Sequence, residues 1–101
     1  MASEATGRWT FLTNHAHVLL CVAAQPDIRL RDVARRVGIT ERAAQRIMAD
    51  LVAGGYLDRE RVGRRNQYRV HADAPMRHPL ESSQAVGRLL DVLSVGHVGR
   101  N

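Results

Sequence analysis

A chain of 101 residues supports one compact core and no second one, so its function resides in a single small unit or in copies of it. Hydrophobic residues at 45% and charged residues at 25% exclude disorder, and the longest apolar run, residues 18–24, is far short of the ~20 needed to span a bilayer. The net charge of +5 comes entirely from arginine, there being no lysine, and eleven of the fifteen arginines lie between Arg29 and Arg69 against five acids.

Residues 1–8 read as a flexible lead with an acid and no apolar run, so no cleaved leader is expected and the expected location is the cytoplasm. The single cysteine, Cys21, cannot form an intrachain bridge, which agrees with a reducing compartment. Thr13 or Asn14 offers an N-cap for a helix over residues 15–25, closed by Pro26 and Asp27. Apolar residues surround most of its circumference, so it belongs inside. Ile28, Arg29 and Leu30 alternate and suit pairing with a strand elsewhere. Residues 31–37 form a second helix, with Val33, Ala34 and Val37 on one face, and Gly38 stops it.

Thr40 caps the next helix, residues 41–53, and Gly54 and Gly55 provide its exit. Ala44, Ile47, Met48 and Leu51 share one face, while Arg42, Arg46, Ala49 and Ala53 share the other. The alanines leave the backbone approachable, so this cylinder can enter a groove while Arg42, Gln45 and Arg46 reach out from its first half. Residues 56–62 and 66–71 alternate around Val62-Gly63-Arg64-Arg65, with Leu57, Tyr68 and Val70 inward, giving a hairpin with an arginine-rich tip. Residues 73–77 connect to a last helix within residues 78–95, opened by Pro79, where Gly87 costs ~1 kcal/mol relative to alanine. Its stripe Val86, Leu89, Leu90 and Leu93 suits ordinary core, but with three helices and a hairpin already supplying a core it is also narrow enough to meet a second copy, with Trp9 and Phe11 packed beside it. Residues 96–101 read as a flexible tail.

The order helix, Val37-Gly38-Ile39-Thr40, helix, Gly55-Tyr56-Leu57, hairpin resembles that of winged helix-turn-helix transcriptional regulators of the MarR/ArsR-like superfamily. In that likeness Ala34 is the small residue at the helix crossing, Gly38 the turn and Ile39 the plug beneath it. The short wing Gly63-Arg64-Arg65-Asn66-Gln67-Tyr68 is similar to ArsR-like members, and the helix order also suits MarR-like ones. The resemblance implies a mainly α fold with four to five helices and a two- to three-stranded antiparallel sheet. It places the winged domain at residues 9–77 and a dimerisation helix at residues 78–95.

It further implies a sequence-specific regulator of double-stranded DNA, acting as a homodimer on an inverted repeat. The recognition helix 41–53 enters the major groove, and the wing 57–70 lies on flanking backbone or minor groove. The DNA-binding candidates are Thr40, Arg42, Gln45 and Arg46 on the helix and Arg61, Arg64, Arg65 and Asn66 on the wing. Arg42 and Arg46 suit guanine edges, Gln45 adenine, and the wing arginines phosphates. The dimerisation candidates are Trp9, Phe11, Val86, Leu89, Leu90 and Leu93.

Each signal has a plainer reading. Exposed arginines are often only a solvated face, and a winged helix can also serve as a protein-docking module. A repressor with a small effector at the dimer cleft is a further alternative. His17 and Cys21 at i and i+4, and the trio His71, Asp73 and His78, lack the companions of a metal site, so no metal or cofactor is expected. No phosphate loop, carboxylate pair or activated thiol marks an enzyme.

Overall fold

The computed structural model describes residues 9–94. The lead at 1–8 and the tail at 96–101 lie outside the described residues, as does the last residue of the expected C-terminal helix.

Helix α1, Asn14–Ala24, begins where the Thr13 carbonyl accepts from the Ala16 and His17 amides; the Thr13 side chain makes no cap bond. It buries Val18, Leu19, Cys21 and Val22 and packs against every other described helix, which places it at the centre of the described core. Pro26 ends it by removing a donor and fixing φ. The expected strand at residues 28–30 does not form. Helix α2, Leu30–Val37, starts too soon: Arg29 is already its N-cap, with its carbonyl taken by Asp32 and Val33. Too few residues remain for a ladder, and among the described residues the sheet has two strands.

Gly38 closes α2 at φ 87, a left-handed conformation that only glycine adopts without strain, and its amide bonds the Ala34 carbonyl at 2.8 Å. Helix α3, Glu41–Ala53, follows at once. Thr40 Oγ1 accepts from the Ala43 amide at 3.0 Å, satisfying one of the otherwise orphaned donors of the first turn. The face expected to point inward does so, since Ala44, Ile47, Met48 and Leu51 are buried.

Strands β1, Leu57–Val62, and β2, Arg65–Val70, pair antiparallel from Leu57 opposite Val70 to Val62 opposite Arg65. The connection is the two-residue loop Gly63-Arg64, with Gly63 at φ 63, as a tight hairpin requires at its first central position. Leu57 is fully buried, and Tyr68 and Val70 pack partly buried against the same core. The hairpin is thus rooted in the helices at one end and solvated at the other.

After β2 the chain departs from expectation. Pro79 does not open a helix; residues 78–84 make turns, and helix α4 is Val86–Leu93. The reason is a short extended pairing just before it. Met76 bonds the Gln84 carbonyl, and the Val86 and Gly87 amides bond the carbonyls of Ala74 and Ala72. Val86 and Leu90 are buried in this chain's own core, 5% and 8% exposed, so they are not available to a second copy; Leu89 is half-buried and Leu93 is 42% exposed. The stripe splits because α4 is short and packs on α1.

Gly87 also has a role that helix propensity does not reveal. A Cβ there would lie 2.7 Å from the Ala72 carbonyl oxygen and 2.9 Å from the Ala72 Cβ. Gly87→Ala therefore destabilises the fold despite its better helix propensity, by about 1–3 kcal/mol, the usual cost of overpacking. Thermal unfolding of the variant checks this, a raised midpoint being the contrary result.

Candidate nucleic-acid interface

Arg42, Gln45 and Arg46 are exposed on the side of α3 opposite its buried face, with Ala49 continuing the same side. Among the described residues no carboxylate lies within ion-pair distance of Arg42 or Arg46. Other arginines are engaged: Arg35 bonds Asp32, one turn back on α2, and Arg69 bonds Asp58 at 2.7 Å. Asp50 stands four residues after Arg46, the spacing for a helical ion pair. Its Oδ2 instead accepts from His15 Nε2 at 2.8 Å, which leaves the Arg46 guanidinium without a partner on its own helix. Glu41 is the one acid exposed in the first turn, where it suits the helix dipole.

The wing residues separate into two groups. Arg64 and Asn66 are exposed at the tip, with no side-chain bond among the described residues. Arg61 Nε donates to the Gly63 carbonyl at 3.4 Å, a long bond that leaves its terminal nitrogens available. Arg65 differs from the expectation of an outward phosphate contact. It is the first residue of β2, and its Nη2 donates to the Asp27 carbonyl at 2.9 Å, with the Asp27 carboxylate 3.7 Å away. Arg59 was missed from the sequence. It shares a strand face with Arg61, is exposed, and has no ion-pair partner among the described residues; the period-two alternation of β1 carries that signal.

At the other end of the hairpin, Asp58 accepts from Arg69 and, at 2.9 Å, from His71. Those two donors hold the Asp58 carboxyl below its ordinary range, Arg69 contributing most. The pair joins opposed residues of the two strands, so it braces the ladder rather than offering charge to a ligand.

The spacings that suggested metal ligands gather nothing. His17 Nδ1 bonds Asn14 Oδ1 at 3.1 Å, and Cys21 is buried, its thiol pushed up by burial against the opposing pull of Arg36. No group of three metal-capable side chains occurs among the described residues. A cleft of about 720 Å³ runs between residues 11–16, the end of α3 and α4, lined by Phe11, Leu19, Tyr56, Met76 and Leu89. No described helix is long and apolar enough to cross a membrane.

A sequence model described as that of the MarR family matches residues 10–65, over half of the chain, running from just before α1 into the wing. The chain belongs to the MarR family. No curated protein matches it. Membership makes the chain a transcriptional regulator of the DNA-binding winged-helix type, and it supports the MarR-like side of the likeness. The matched span contains α1, α2, α3, β1 and the hairpin loop, so the elements that carry Arg42, Gln45, Arg46 and Arg64 are those that the MarR family model covers.

Proposed function

We propose that this MarR-family chain binds double-stranded DNA sequence-specifically in the cytoplasm, as a homodimer on an inverted repeat. The observation that carries the reading is the outer face of α3, where Arg42, Gln45 and Arg46 are exposed together and the two guanidiniums have no protein partner among the described residues. An α-helix fits the major groove, and arginine reads guanine there through two parallel bonds. The Arg64 tip then lies over flanking phosphates or a narrow minor groove.

Dimerisation is supported by apolar surface that the monomer leaves uncovered. Trp9 and Phe11 stack edge to face with centroids 5.1 Å apart, yet they are 67% and 92% exposed. Phe11 and Leu89 line one cleft, and Leu93 is exposed on α4. Single exposed apolar residues are ordinary, but an aromatic pair beside an apolar cleft is suited to burial against a partner.

Selection of bound duplexes from a random pool tests the reading. The expected product is a palindromic motif with half-site centres about one turn, roughly 34 Å, apart, and sedimentation of the complex at two chains per duplex. No enriched motif, together with no salt-dependent affinity for mixed-sequence duplex, would instead favour a protein-docking module.

A further inference from the structure

A two-stranded hairpin is at best marginal on its own, so the direction of a wing depends on what holds it. Here β2 is tied to the turn between α1 and α2 by two bonds. Arg65 Nη2 donates to the Asp27 carbonyl at 2.9 Å, bridging 38 residues of chain. The Tyr68 amide donates to the Pro26 carbonyl, also at 2.9 Å. Pro26 stiffens that turn by fixing φ, and the turn continues directly from α1, which packs on α3. The wing is thereby referenced to the helix that carries Arg42 and Arg46. Arg64, the neighbour of Arg65, is exposed on the two-residue loop with no protein partner among the described residues. A phosphate would have to draw Arg65 from both the Asp27 carbonyl and the nearby carboxylate, whereas Arg64 has nothing to give up.

We propose that Arg65 is a positioning residue: it anchors the wing to the Pro26 and Asp27 turn and so places Arg64 against the duplex, without contacting DNA itself. The inference rests on the DNA-binding reading above and concerns how that site is held.

The test uses the full chain and a mixed-sequence duplex of about 30 base pairs, longer than a palindrome whose half-sites lie one turn apart, with affinity measured across a sodium chloride series. Arg64→Ala is expected to lower the slope of log affinity against log salt by about 1.8, the signature of two lost phosphate contacts, one from each chain of the dimer. Arg65→Ala is expected to lower it by the same amount, and the double variant by no more than either alone, about 1.8 rather than about 3.6. In the free protein, Arg65→Ala should speed hydrogen exchange at the Tyr68 amide at least tenfold while exchange in α1 and α3 stays at the parental rate. A general loss of stability would raise all three. Additive slopes together with unaltered Tyr68 exchange would overturn the inference and leave the DNA-binding reading intact. Absence of salt-dependent binding by the unaltered chain would remove that reading, and the inference with it.

Discussion

Arg42→Ala and Arg46→Ala should each remove about 1–3 kcal/mol of discrimination between the selected duplex and one altered at the base that the side chain faces. Two half-sites double the effect on a symmetrical duplex, to about 2–6 kcal/mol, or more than tenfold in relative affinity. Neither substitution should move the thermal midpoint, because both side chains are exposed and without protein partners among the described residues, and such surface changes stay within about 0.5 kcal/mol. The pattern of loss is diagnostic. Direct base readers relax preference at one position; a phosphate contact such as Arg64 weakens all duplexes alike. Competition binding with single-base variants of the selected motif separates the two. Unchanged ranking of those variants after both substitutions would show that α3 is not the reading head.

The legibility of that face in the sequence has a simple physical basis. Helix periodicity is local, so the alternation of Ala44, Ile47, Met48 and Leu51 with Arg42, Gln45 and Arg46 was sufficient to place them on opposite sides, as the burial shows. The caps were equally local: Thr40 bonds an amide three residues on, and Gly38 takes up a left-handed turn that few other residues tolerate. Features that depend on distant chain were not legible. Arg65 looks like any tip arginine until Asp27 is brought to it, and Gly87 looks like a weak helix residue until Ala72 closes on it. Pro79 is a good helix opener by composition. Here the bonds that tie residues 84–87 to 72–76 hold Ala85 extended opposite Pro75 and delay the helix to Val86. The Val86 and Leu90 stripe has the same spacing whether it faces a partner or the chain's own α1, and only packing distinguishes the two.

The largest effect on stability is expected from Leu57→Ala. Leu57 is 1% exposed and has the largest side chain among the fully buried residues. It is the first residue of β1, placed directly after the Gly55 turn, where the Tyr56 amide bonds the Leu51 carbonyl at 2.9 Å, and it sits opposite Val70 on β2. Removing its branched end opens a cavity where the hairpin enters the helical core, a change that costs about 2–5 kcal/mol. Small domains are stable by only about 5–15 kcal/mol, so a large share of the fold's stability is at risk. Each kcal/mol lowers the midpoint by roughly 4–8 °C in a domain of this size. Leu57→Met, which nearly conserves volume, should cost less than about 1.5 kcal/mol and thereby separates a cavity effect from intolerance of any change. Urea denaturation of both variants measures the difference. Because Leu57 roots the wing while α3 keeps its own contacts with α1 and α2, hydrogen exchange in Leu57→Ala should rise first across β1 and β2. Uniform acceleration across α3 and the hairpin together would mean that wing and recognition helix unfold as one unit.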